Sequence, residues 1–150
     1  MQRSISHQNS LTPLLYAALF VIYTALSGIY LFLPPLFALL YLLFSKALKQ
    51  EDVVLLFLVS ACLLFFEAQN SYMLFSTIIY FALIHKYVIP KIKQNFNCDV
   101  CINLSIVILV YVGFFLFCSL LSNIFMLPMP SINYYVLYYM AIEFFILSLI

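Results

Sequence analysis

The chain alternates between long apolar runs and short polar or proline-rich breaks. Its first apolar block, 13–44, is too long for one membrane-spanning helix, which needs about 20 residues, and a glycine and the pair Pro34-Pro35 interrupt it. Proline removes a backbone donor and clashes with the preceding helical turn. The pattern therefore predicts helices over about 13–32 and 35–49, with a tight turn between them.

Four further apolar segments follow. None of them alternates polar and apolar residues as the strands of a membrane barrel do, and lipid tolerates no unpaired backbone groups, so these segments are predicted to be helices. Asp52 stands where its carboxylate complements the first N–H groups of the third helix. The predicted helices cover about 52–67, 71–90, 100–122 and 132–150, and the polar segment 91–99 is predicted to be a loop.

The basic residues indicate an orientation. Cytoplasmic loops of membrane proteins carry an excess of Lys and Arg, and six spans with the N-terminus inside place every basic residue on the cytoplasmic side. The sequence thus predicts a single all-α domain over 1–150, a polytopic membrane bundle of about six helices with both termini cytoplasmic and a polar tail over 1–12. The basic residues are Arg3, Lys46, Lys49, Lys86, Lys91 and Lys93.

Composition supports a lipid environment and excludes several function classes. The 150 residues are 67% hydrophobic and 7% charged, whereas a soluble domain has about 25% charged residues. The net charge of +1 leaves no basic patch for nucleic acid. Cys98-x-x-Cys101 lacks the second ligand pair of a zinc site, so we interpret it as two ordinary thiols at a helix start. With no complete catalytic motif, we expect a non-enzymatic protein without metal or cofactor.

Glu67 is the first candidate functional residue. It ends the apolar run of the third helix and opens a polar turn that includes Asn70. An ionisable group near membrane depth is a functional hypothesis by default. Two interpretations stay open: a carboxylate simply solvated at the outer surface, or a polar cluster with a structural or partner-binding role.

Glu143 is the second candidate. It lies inside the last helix, at mid-depth or in the inner half of the membrane. An isolated acid there should face the bundle interior, a partner helix or water. Structural hydrogen bonding and direct binding of a partner or ligand both stay open. We expect Glu67 and Glu143 at different depths, so they are not paired as an acid/base couple.

Residues 30–93 carry an ordered set of features. A proline pair opens a short helix, a basic loop follows, and an apolar helix ends in an acid; a polar turn then leads into a long helix closed by a proline. The segments are Leu33-Pro34-Pro35-Leu36, Lys46 to Asp52, Phe65-Phe66-Glu67, Gln69-Asn70-Ser71 and Tyr87-Val88-Ile89-Pro90-Lys91.

This order resembles the bacterial rod-shape-determining family MreD. The resemblance implies a non-enzymatic scaffold subunit of the cell-elongation machinery in the bacterial inner membrane. Its implied partners are an MreC-like protein and, through it, the transpeptidase and glycosyltransferase that synthesise the wall. The short loops imply binding through helix faces, with Glu67, Asn70 and Glu143 as candidate partner-binding residues.

Two alternatives remain. A small transporter, or the substrate-binding membrane subunit of a vitamin or small-molecule uptake system, has a similar size and should gather polar groups around an outward cavity. Such subunits use an Ala-x-x-x-Ala face in the first helix, a spacing that Ala17, Ala18 and Ala25 do not provide. The third possibility is a polytopic subunit of some other complex.

Overall fold

A computed structural model describes residues 8–129, 131 and 133–150, and over these residues the chain forms six helices and no strand. The all-α class predicted from the sequence is confirmed. Two helices contain internal π turns, in which the backbone hydrogen bonds run from i to i+5. The helices are α1 (Gln8–Ile29), α2 (Phe37–Gln50), α3 (Val53–Gln69), α4 (76–95: Ser76–Leu83, π turn Ile84–Val88, Ile89–Asn95), α5 (99–125: Asp99–Ile108, π turn Leu109–Gly113, Phe114–Phe125) and α6 (Tyr135–Leu149).

Two of the described helices are long and apolar enough to cross a membrane, over Thr12–Ile29 in α1 and Asp99–Phe125 in α5. The helices Val53–Gln69 and Tyr135–Leu149 are apolar but shorter. With 14 residues, α2 is about 21 Å long, less than the thickness of a bilayer core. A bundle with six membrane spans therefore stays a prediction.

The largest errors in the predicted boundaries are at the start of α1 and at both ends of α4, which was predicted over about 71–90 and begins at Ser76. The helix α1 begins at Gln8 instead of about 13, so 8–12 of the predicted polar tail are helical; Arg3 and the rest of 1–7 lie outside the described residues. The helix α4 continues through Pro90 to Asn95, which reduces the predicted loop 91–99 to 96–98. The π turn explains why: Pro90 stands in the first turn of a new hydrogen-bond register, where a missing N–H costs little.

The core is built around α2. One face of this helix is buried against α3, α4 and α5, and the ring of Phe37 at its start lies 5.0 Å, centroid to centroid, from the rings of Phe66, Phe81 and Phe114. These ring contacts hold α2 against α3, α4 and α5 by close van der Waals packing. The helix α1 lies mainly against α3.

The two ends of the bundle differ in charge. We call the end with the connections 30–36, 70–75 and 126–134 the upper end; these segments contain no Asp, Glu, Lys or Arg. At the opposite, lower end, Lys49 of α2 and Lys93 of α4 lie within interaction distance of each other. Asp52 caps α3 there, accepting from the N–H groups of Val54 and Leu55 at 3.2 and 3.3 Å, so its predicted role is confirmed.

The π turn of α5 is held by a tyrosine from α4. The Tyr80 hydroxyl donates to the Leu109 carbonyl at 2.7 Å, which gives a partner to an oxygen at the start of the π turn. Gly113 makes room for this hydroxyl, because a Cβ at that position would lie 1.9 Å from the Tyr80 oxygen. Side chain and glycine thus fix the place where α5 changes register.

Candidate functional site

Glu67 caps the start of α4. The residue before this helix, Phe75, has a left-handed backbone (φ 68°) and offers no capping side chain, so the first N–H groups of α4 need another acceptor. The Glu67 carboxylate accepts from the N–H groups of Phe75 and Thr77 at 2.7 and 2.5 Å. It also accepts from the hydroxyls of Thr77 at 2.6 Å and Ser76 at 3.1 Å.

This environment decides between the two interpretations of Glu67. The side chain is 0% exposed, so a carboxylate solvated at the outer surface is wrong; the acid is structural. Asn70 ends α3 on the exposed side, and its Nδ2 donates to the Phe66 carbonyl at 2.9 Å. The partner-binding role of Glu67 and Asn70 stays a prediction, and the structure gives each an intramolecular role.

Glu143 caps a different helix across the bundle. The residue before α2, Leu36, also has a left-handed backbone (φ 52°) and no capping side chain. The Glu143 carboxylate accepts from the N–H groups of Phe37 at 2.8 Å and Ala38 at 2.7 Å, and from the Tyr111 hydroxyl of α5. Glu143 is 1% exposed, and its hydrogen bonds connect α6 with α2 and α5 inside the bundle.

The two acids act alike electrostatically. A helix N-terminus carries a partial positive charge, and a carboxylate there is favourable. At each of the two helix starts, two backbone N–H groups donate to the carboxylate oxygens of one acid. The donors to Glu67 and Glu143 are separate sets of residues, and their different membrane depths stay a prediction.

A cavity of 530 Å³ lies at the upper end, bounded by α1, α3, α5 and α6. Phe37, whose N–H binds Glu143, and Tyr111 line it together with aromatic side chains of α3, α5 and α6. Polar side chains from α1, from the end of α3 and from the 126–134 connection complete the wall. Aromatic residues of the lining are Phe37, Phe66, Tyr72, Tyr111, Phe114, Phe115, Tyr134 and Tyr139; polar ones include Ser27, Gln69, Asn70, Ser131 and Asn133.

No pattern in the sequence predicted this cavity. Its wall comes from five separate stretches of chain, and each aromatic residue taken alone is typical of an apolar helix. The only usable signal was the polar pair Gln69-Asn70 next to a buried run, because both residues line the cavity. Gln69 also packs against Gly28 of α1, where a Cβ would lie 1.9 Å from the Gln69 amide nitrogen.

The cysteines occupy two kinds of environment. Cys98 is exposed just before α5, and Cys101 is half-buried in its first turn, whereas Cys62 and Cys118 are buried. Backbone hydrogen bonding from Cys101 lowers the pKa of the Cys98 thiol. Among the described residues, no group of three or more His, Cys, Asp or Glu side chains is placed to hold a metal ion.

No protein-family model, curated protein or solved structure matches this chain. The class that fold and site define is an all-helical protein with two helices able to cross a membrane and a cavity at one end. The resemblance to MreD stays a prediction.

Proposed function

We propose that this chain is a multi-pass bacterial inner-membrane protein that acts as a non-enzymatic scaffold of the MreD kind. In this proposal both termini are cytoplasmic and the upper end faces outwards. The protein binds an MreC-like partner, and through it the wall-synthesising transpeptidase and glycosyltransferase.

The charge distribution supports this orientation. The C-terminal parts of α2 and α4 carry Lys46, Lys49, Lys91 and Lys93 at the lower end, while the upper connections carry no charged residue. An end rich in Lys faces the cytoplasm by the positive-inside rule. The exposed thiol of Cys98, which lies at the lower end, should therefore be on the cytoplasmic side.

A stripe on α1 is the observation that carries the scaffold proposal. Ala17, Phe20 and Val21 face the core, which leaves the other side of α1 uncovered. Four aliphatic side chains follow one another there at spacings of four, three and four residues, the pattern of a single helix face. These side chains, 43% to 58% exposed, are Leu15, Leu19, Ile22 and Leu26, which we call the α1 stripe.

The α1 stripe suits a transmembrane helix of the partner. Both buried acids already serve helix caps within the chain, so binding through an apolar helix face fits better than binding through Glu67 or Glu143. Helix pairs in lipid depend on close van der Waals packing, and a bulky side chain in the contact should separate them.

The test is a mild-detergent pull-down of the tagged protein from its native membrane, read by mass spectrometry. Wild-type protein should recover an MreC-like protein or a wall-synthesis transpeptidase, and the double variant Leu19→Trp/Ile22→Trp should recover several-fold less. Leu116→Trp/Leu120→Trp places the same side chains on an exposed face of α5 and should recover as much as wild type. Recovery of a transporter ATPase, or of no partner, would overturn the scaffold proposal.

One observation favours a second candidate function. A ligand-binding subunit of a small-molecule uptake system should have an outward cavity with convergent polar groups, and the 530 Å³ cavity at the upper end has this character. Co-purification with an ATPase module would support this second function.

A further inference from the structure

We propose that the upper cavity is a binding site for a small, uncharged, planar aromatic molecule that carries hydroxyl or N–H donors. This inference deepens the second candidate function and does not depend on the scaffold proposal, since a scaffold with a bound ligand and one without it give the same pull-down.

The size and the wall of the cavity indicate the ligand's shape. Its volume of 530 Å³ falls within the range of about 300–1,000 Å³ typical of small-molecule sites. Eight of its lining residues are aromatic. Rings such as Phe66 and Phe114 pack against Phe37 at 5.0 Å, so the wall presents fixed ring surfaces. Aromatic rings prefer offset-stacked or edge-to-face partners, which a planar ring system supplies.

The charges of the site exclude an ion as ligand. Among the described residues, no Asp, Glu, Lys, Arg or His lines the cavity, so a charged molecule would lose its hydration without gaining a counter-charge. Helix N-termini would otherwise attract an anion, but Glu143 occupies that of α2, beside the cavity, and Glu67 occupies that of α4. The two internal caps therefore leave an uncharged ligand as the one that fits.

The hydrogen-bonding groups of the wall indicate donors on the ligand. The Tyr111 hydroxyl donates to Glu143, the Tyr139 hydroxyl to the Leu31 carbonyl at 2.5 Å, and the Asn70 amide nitrogen to the Phe66 carbonyl. Each of these side chains has used a donor within the protein and keeps an oxygen lone pair as acceptor. A hydroxyl or N–H group on the ligand complements them.

The test uses three probes on the full chain in lipid nanodiscs at neutral pH. We expect 2-naphthol to bind saturably at one site per chain. The anion naphthalene-2-sulfonate should bind at least about tenfold more weakly, because the described residues that line the cavity include no cation. 2-Methoxynaphthalene cannot donate this hydrogen bond, so it should bind about fivefold more weakly than 2-naphthol.

Val136→Trp fills the cavity from α6 without removing a polar group, and it should abolish the saturable component. Val100→Trp makes the same exchange at an exposed position of α5 outside the lining and should bind as wild type does. Partition of the probe into lipid is common to all three proteins and cancels in the comparison.

A measurement on the unaltered protein guards against misfolding of the cavity variant. Cys118 and Cys62 are both buried, so both thiols should react slowly in the folded protein, and Cys118 lines the cavity whereas Cys62 does not. Bound 2-naphthol should slow alkylation of Cys118 by a membrane-permeant maleimide and leave Cys62 unchanged. Equal protection of both thiols, equal binding of the neutral and anionic probes, or unchanged binding by folded Val136→Trp would each overturn the proposal. None of these results bears on partner recovery through the α1 stripe.

Discussion

Glu143 offers the sharpest test of how this bundle is held together. Replacement by Gln keeps the size of the side chain but changes one oxygen into an N–H₂ donor. In wild type one carboxylate oxygen accepts from Phe37 and Tyr111, and the other accepts from Ala38 at 2.7 Å. Whichever way the amide is turned, its nitrogen faces a backbone N–H, so at least one bond is replaced by a donor–donor contact.

The structure sets the size of the effect. A hydrogen bond to a charged group contributes about 1.5–3 kcal/mol, and removing one partner of a buried charged interaction costs about 3–5 kcal/mol in all. We therefore expect Glu143→Ala to lower the free energy of unfolding by about 3–5 kcal/mol and Glu143→Gln by about 2–3 kcal/mol. At about 2–4 °C per kcal/mol, Tm should fall by about 6–20 °C and about 4–12 °C.

Two native cysteines supply the assay. In a background with Cys98→Ser and Cys101→Ser, the remaining thiols of Cys62 and Cys118 are buried, so a fluorogenic maleimide reports their exposure on heating. Glu51→Gln is the matched control, because it makes the same exchange at an exposed acid and should leave Tm unchanged. If Glu143→Gln has the same Tm as wild type, the carboxylate does not stabilise the start of α2 and the prediction is wrong.

Three further predictions follow from single positions. Gly113→Ala places a Cβ against the buried Tyr80 hydroxyl and should lower the free energy of unfolding by about 1–3 kcal/mol, measured in the same melting assay. Gly28→Ala is the control, because its Cβ meets only the end of a flexible side chain, and its Tm should equal that of wild type. Equal Tm values for the two variants would contradict the role of Gly113 in the π turn. Tyr41→Phe should keep or raise Tm, because the buried Tyr41 hydroxyl has no hydrogen-bond partner in the described part of the chain; a clear fall in Tm would reveal a partner. The first turn of α5 lowers the pKa of the exposed Cys98 thiol from its ordinary 9.0, so its thiolate forms at lower pH and its alkylation rate should rise with a midpoint below that value; an impermeant maleimide should reach it in inverted vesicles and not in intact cells.

The order of the helices could be predicted from the sequence because apolar runs and proline breaks act locally. Asp52 was recognisable as a cap for the same reason, since the N–H groups that donate to it are two and three residues away. The continuation of α4 past Pro90 was not predictable, because it depends on the π turn 84–88, and no residue of that segment predicts a π turn.

How well the role of each acid could be predicted depended on its distance along the chain from its hydrogen-bond donors. Glu67 binds donors eight to ten residues later, across a turn, and the polar cluster around it was at least visible. Glu143 binds an N–H group 105 residues earlier. No local pattern encodes such a pair, and left-handed Leu36 before α2 gives no sequence signal either, because leucine rarely adopts that backbone.

The π turn in α5 has a consequence for how this protein can change. Below the turn α5 packs on α6, the turn itself lies against α2, and above it the helix packs on α4, so the cavity lies where α5 and α6 part. Inserting or deleting one residue rotates everything beyond it by about 100°. The width of the cavity therefore depends on the number of residues in the π turn of α5. A single codon gained or lost between 109 and 113 would change the shape of the cavity more than any substitution along its wall.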